Sequence, residues 1–125
     1  MLYLIGTNIL IAYQSAQASQ KMLDVVELAL GDGAHISVVN RIEFLGWHGF
    51  TPAARLAAVA LLDALAEHPL DSAVTNKTIE LRSNLKMKLG DALIAATALT
   101  HGLGLMTRNV DDFKNCGLEL LNPLD

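Results

Sequence analysis

Short apolar runs alternate with segments of helical period along this chain. Leu2 to Ile5 is a continuous apolar run of the kind that forms a buried strand. After Gly6, Thr7 is placed to cap a short helix, Asn8 to Tyr13, which gives way to the polar run Gln14 to Gln20. From Met22 to Leu30 apolar positions recur at helical spacing, and Gly31 and Gly33 supply the stop. Ala34 to Val38 reads as a second strand, and Val39, Ile42, Leu45 and Gly46 then share one helical face before a break at Gly49. Thr51 and Pro52 form a strong helix start, and the Ala/Leu-rich pattern behind them runs to Ala66. His68 to Asp71 leaves room for a minimal third strand at a sheet edge, because Pro69 lacks a ladder donor. Ala73 to Lys86 has helical spacing, and a small-residue helix from Asp91 to Thr100 comes after the break at Gly90. Leu105 and Met106 open a fourth strand, Thr107 to Phe113 is a polar turn, and Leu118 to Leu121 is a last short strand.

Strands alternating with helices, without two-residue hairpin turns between them, predict an α/β fold with a parallel sheet and helices on both faces. A length of 125 residues, with no repeats or linkers, leads us to expect one domain. The composition is 52% hydrophobic and 18% charged, carried by alanine and leucine, so extra burial in a dimer is expected. No apolar run approaches the roughly 20 residues of a membrane span, and no basic segment precedes an apolar one at the start; the expected location is cytoplasmic. The single cysteine, Cys116, cannot form an internal disulfide and reads as a bystander. A formal net charge of −4 argues against coating nucleic acid by bulk electrostatics, while leaving room for a nuclease with a local basic rim.

In an open parallel sheet the functional crevice lies outside the carboxyl ends of the strands. Gly6, Thr7 and Asn8 come after the first strand, Glu43 is about a helical turn beyond the second, and Thr107, Asn109, Asp111 and Asp112 come after the fourth. Asp91 opens the helix that feeds the fourth strand, and its placement at the same edge is an inference. Clustered carboxylates repel one another unless a cation sits among them, and hard oxygen ligands select Mg²⁺ or Mn²⁺. Phosphodiester hydrolysis is the chemistry that suits. Each residue also has a plainer role. Asp91 fits a helix cap or first turn, Glu43 a solvated helix position, and Asp111 with Asp112 a solvated turn. Arg82, Lys86 and Lys88 offer a basic rim for RNA phosphates, but Arg82 and Lys86 are also i,i+4 neighbours on an ordinary exposed helix face, and the surface role is the preferred reading. Arg108 has a better claim to a phosphate or a partner's carboxylate. The four histidines are scattered in sequence, and none is assigned a catalytic role.

Four segments, Y-L-I-G-T-N-I-L-I, I-S-V-V-N-R-I-E-F, L-G-D-A-L-I-A-A-T-A and L-M-T-R-N-V-D-D-F, stand in an order and spacing that resembles a PIN domain, specifically the VapC-type toxin ribonucleases of bacterial toxin–antitoxin pairs. The resemblance covers nearly the whole chain. It implies a three-layer sandwich with a short parallel sheet of strand order 3-2-1-4-5. It also implies a Mg²⁺-dependent endoribonuclease, a homodimer, and an antitoxin whose tail occupies the site. Carried over by residue, Asp91 is the central metal ligand and water-activating carboxylate, Glu43 the helix glutamate and Asp112 the fourth acidic position. Thr7, Asn8, Thr107, Asn109 and Arg108 are supporting residues.

One position departs. Where the family pattern has an aspartate between the first strand and T-N, this chain has Gly6, which removes a charged metal ligand. Gly6 fits three origins: an engineered or selected inactivating change, a natural degenerate homologue, or an active variant that uses water in the ligand's place. The alternative function is a catalytically inactive PIN-fold protein that binds an antitoxin and itself. A nucleotide-binding domain is disfavoured, because Gly102 to Gly104 precedes a strand and does not open a helix as a phosphate loop does.

Overall fold

The computed structural model describes residues 1–15 and 18–124. In chain order it contains β1 (Tyr3–Ile5), α1 (Thr7–Gln14), α2 (Gln20–Gly31), β2 (His35–Ser37), α3 (Val38–Leu45), α4 (Pro52–Asp63) and β3 (Ala66–His68). Beyond these lie α5 (Ser72–Asn84), α6 (Leu89–Thr100), β4 (Gly104–Met106), α7 (Val110–Phe113) and β5 (Leu120–Leu121). The strands form one parallel five-stranded sheet in the order β3-β2-β1-β4-β5, as the resemblance implies.

The central strands are buried on both faces, so consecutive apolar residues serve opposite layers. Leu4 and Leu105 face a layer built from α5, α6 and α7, with Val74, Leu81, Ile94 and Phe113. Ile5, Ile36 and Met106 face the other, where Ile9, Met22, Val26, Phe44, Ala58 and Leu62 come from α1 to α4. Within α6, Ala92, Ala95, Ala96 and Ala98 are all fully buried, so small side chains let this helix lie close on the sheet and fix the position of its first turn.

Several boundaries differ from the sequence expectation. The helix expected to reach Ala66 ends at Asp63, and the third strand is Ala66–His68, not His68 to Asp71. Pairing of Ala66, Glu67 and His68 with β2 overrides the helical propensity of the alanines, and Pro69 falls just past the ladder. The polar turn Thr107 to Phe113 holds the short helix α7, and the last strand is confined to Leu120–Leu121. The small-residue helix begins at Leu89, so Lys88 is its N-cap and Asp91 its third residue. No described helix is long and apolar enough to cross a membrane.

Three of the histidines meet. His35 Nδ1 lies 2.8 Å from His68 Nε2, and the rings of His68 and His101 stack with centroids 3.8 Å apart. The group joins the start of β2, the end of β3 and the C-cap of α6, at the opposite end of α6 from Asp91. Burial, then the neighbouring His101 and His35, lower the His68 pKa from its ordinary 6.5, and Asp71 opposes them. A histidine with a lowered folded-state pKa stabilises the fold above its unfolded value, and that contribution is lost as pH falls through the folded value. The urea midpoint is therefore expected to drop between about pH 7.5 and pH 5, and to drop less in His68→Gln. Equal slopes for the two chains would contradict this.

Candidate functional site

Gly6 comes directly after β1 and is the N-cap of α1, with no side chain to offer the helix. Its N–H donates to the Met106 carbonyl at 2.8 Å, tying the carboxyl ends of β1 and β4 together. A Cβ at this position would lie 2.8 Å from the same carbonyl oxygen. The strand ends are thus closed to a distance that glycine alone satisfies without movement, although the φ of −68° suits any residue.

Thr7 is the first residue of α1 and not its cap. Its hydroxyl instead donates to Glu43 Oε1 at 2.7 Å and accepts from Asn40 Nδ2 at 3.1 Å. Asn40 is fully buried, and its Oδ1 accepts from the Ser37 N–H at 2.8 Å and from the Ser37 hydroxyl at 3.0 Å. Ser37 caps α3 in a reciprocal box with Asn40, so one set of hydrogen bonds both starts α3 and fixes the amide that orients Thr7. Sequence reasoning missed this relay. The S-V-V-N spacing was its only signal, with asparagine standing where a capping box usually has Glu or Gln. Asn40→Ala leaves buried Ser37 donors without an acceptor and is expected to cost about 1–3 kcal/mol in unfolding free energy. Urea unfolding checks this; a change under about 0.5 kcal/mol would show the relay to be incidental.

Asp91 projects from the first turn of α6, where the helix dipole favours an anion. Burial nevertheless raises its pKa above the ordinary carboxylate value, with the charges of Asp112 and Glu43 adding to the effect and Lys88 opposing it. The preceding residue is Gly90, and a Cβ there would lie 3.0 Å from Glu43 Oε2. The absence of a side chain at Gly90 lets the Glu43 carboxylate rest against the start of α6, beside Asp91.

Seven of the expected residues, Gly6, Thr7, Asn8, Glu43, Asp91, Thr107 and Asn109, line one cavity of 160 Å³ off the carboxyl edge of the sheet. Buried Thr107 shapes its floor by accepting the Asn109 N–H at 3.0 Å. Asp112 lines an adjoining depression that shares Asp91, and exposed Asp111 lies 3.8 Å from Lys114. Arg108 lines a groove of 640 Å³ that shares Asn8 and Asn109 with the cavity. Among the described residues no three His, Cys, Asp or Glu side chains are arranged to hold a metal ion. The carboxylates that line the cavity itself are Glu43 and Asp91, both hard oxygen donors.

A short parallel sheet with paired carboxylates at its carboxyl edge and a buried alanine-rich helix behind them defines an α/β protein with an acidic edge site. Residues 3–117 match the PIN domain family, and the chain belongs to it. Over 32 residues it is 66% identical to the protein "Ribonuclease VapC1" of Rickettsia felis, a match spanning 25% of this chain and 24% of that relative. A toxin–antitoxin complex from Klebsiella pneumoniae is 25% identical with a TM-score of 0.79, covering 98% of each chain. FitAcB from Neisseria gonorrhoeae superposes with a TM-score of 0.85 at 18% identity, over 98% of this chain and 99% of that one, a likeness of fold.

Proposed function

We propose that this protein is a Mg²⁺-dependent endoribonuclease of the VapC toxin type, weakened by the missing carboxylate at Gly6. The observation that carries the proposal is the meeting of Glu43 and Asp91 in one cavity within a PIN fold, with Asp91 destabilised as an anion by burial and by its acidic neighbours. Asp91 and Glu43 would hold the cation, with Asp112 beside them; Mn²⁺ would serve in place of Mg²⁺. When bound, the ion supplies Lewis-acid stabilisation to the charge that builds on a phosphodiester under attack. Asp91, set in the cavity beside Glu43, is the group we assign to take the proton of the attacking water as the phosphorus–oxygen bond breaks. Thr7 keeps Glu43 fixed through the Asn40 relay, and Thr107 sets the loop that carries Asn109.

The partners we propose are RNA as substrate, an antitoxin protein and a second copy of this chain, in the cytoplasm. The toxin–antitoxin neighbour supports the antitoxin. The apolar side chains of Leu28, Ile42, Leu56 and Ile79, all more than half exposed, support protein contacts. Gly6 favours a second function, a binding protein of the same fold without turnover. The test is incubation of the purified chain with end-labelled single-stranded RNA in Mg²⁺ and in EDTA. Slow cleavage confined to Mg²⁺ supports the nuclease, and the absence of cleavage at any Mg²⁺ or Mn²⁺ concentration favours the binding protein.

A further inference from the structure

The chain has nine Lys and Arg residues against thirteen Asp and Glu, so free positive charge is scarce on its surface. Five of the nine are engaged within the fold. Arg41 pairs with Asp63 and Glu67, Lys77 with Glu80 and Lys114 with Asp111, while Lys21 and Arg55 donate to the carbonyls of Leu124 and Leu45. Among the described residues, Arg82, Lys86, Lys88 and Arg108 have no hydrogen-bond or ion-pair partner. These four are not spread at random. Arg82, Lys86 and Lys88 line one open depression, and Lys86 and Lys88 also line the next, which contains Asp91 and Asp112. Asp91 belongs in turn to the carboxylate cavity, and that cavity shares Asn8 and Asn109 with the groove of Arg108. Every one of these unsatisfied cations therefore borders a continuous run of depressions that passes through the carboxylates.

We propose that this run is the path of a single RNA strand, with Arg108 taking phosphate on one side of the carboxylates and Lys88, Lys86 and Arg82 taking successive phosphates on the other. This reading takes up the basic-rim alternative for Arg82, Lys86 and Lys88 in place of the plain surface role. Lys86 and Lys88 lie in the connection between α5 and α6, and no carboxylate in the described fold pairs with Arg82 or Lys86. Cations flanking an acidic site also perform a task that its carboxylates cannot. They offset the repulsion between the RNA backbone and Glu43, Asp91 and Asp112, and so would hold a phosphodiester beside those carboxylates. The choice of RNA as occupant rests on the nuclease function above, and phosphate recognition by the track rests on the cation distribution alone.

The test uses binding without chemistry. A fluorescein-labelled single-stranded RNA is titrated with the full chain in EDTA at several KCl concentrations, and affinity is tracked by anisotropy. Each phosphate contact on a single strand contributes about −0.7 to the slope of log K against log salt, so four contacts predict a slope of about −3. The Arg82→Ala/Lys86→Ala/Lys88→Ala triple variant is expected to reduce it to about −0.7, and Arg108→Ala to remove about 0.7 of it. Lys86→Arg and Lys88→Arg retain the slope, and Lys77→Ala, whose partner is Glu80, leaves it unchanged. A triple variant with the wild-type slope overturns the track. So does an effect confined to a poly-Glu peptide probe, which would make these cations a protein contact. Loss of Mg²⁺-dependent cleavage with the salt slopes as expected removes the nuclease function and leaves the phosphate track standing.

Discussion

Asp91→Asn is expected to lower the affinity for Mg²⁺ or Mn²⁺ by at least about 10–100-fold, with RNA cleavage falling in step, since even outer-shell partners of a metal have effects of that size. The same substitution is expected to raise the thermal unfolding midpoint at neutral pH. Burial is the largest cause of the raised Asp91 pKa, and the carboxylates of Asp112 and Glu43 increase it, so the ionised side chain opposes folding unless a cation is present. A raised carboxylate pKa contributes stability only at low pH, and this is lost as pH rises through the folded-state value. The gain from Asp91→Asn should therefore be present at pH 7 and vanish below about pH 4, where both chains carry a neutral group. Calorimetry at the two pH values checks this. An Asn variant that is less stable at pH 7 would show that Asp91 serves α6 as a structural first-turn anion and is not held there at a cost.

Gly6→Asp is expected to have opposite effects on binding and on folding. A third carboxylate in the cavity raises metal affinity, by about tenfold or more given how strongly ligand charge tunes such sites. Folding without metal becomes less favourable. The new Cβ starts 2.8 Å from the Met106 carbonyl oxygen, and the ends of β1 and β4 must separate to admit it. Forcing extra atoms into a closed region costs about 1–3 kcal/mol, and repulsion from Asp91 and Glu43 adds to it. Metal restores part of that loss, because a ligand that binds only the folded chain stabilises it by mass action. The variant should thus melt below the parent chain in EDTA and show the larger upward shift when Mg²⁺ is added. A variant as stable as the parent in EDTA would show that the strand ends open without cost.

Much of this candidate site was legible in the sequence because several of its residues, Gly6, Thr7, Asn8, Thr107 and Asn109, come directly after strands. The alternation of Leu4 with Ile5 and of Leu105 with Met106 marks buried strands, and the residues just beyond each strand fall on the working edge. Asp91 gained its meaning from residues far away in the chain, and the structure places it with Glu43 as expected. The role of Thr7 was read incorrectly, because a Thr after a glycine looks like a cap, and only the approach of α3 shows its hydroxyl turned to Glu43. The third strand was misplaced because Ala64 to Ala66 suits a helix until β2 supplies a partner for the ladder. The histidine stack and the unpaired cations were illegible for one reason. Contacts between β2, β3 and the end of α6, and the lack of a pairing carboxylate for Arg82 or Lys86 in the described fold, are set by tertiary packing that no local pattern encodes.

In the proposed function, Glu43 and Asp91 form a metal-dependent ribonuclease site whose shortfall is the carboxylate missing at Gly6. The most direct test is the rate of RNA cleavage as a function of Mg²⁺ concentration, measured for this chain and for Gly6→Asp under the same conditions. Cleavage by both, with the variant faster and saturating at lower Mg²⁺, is the expected result. Superimposable curves, or no cleavage by either chain, would contradict it.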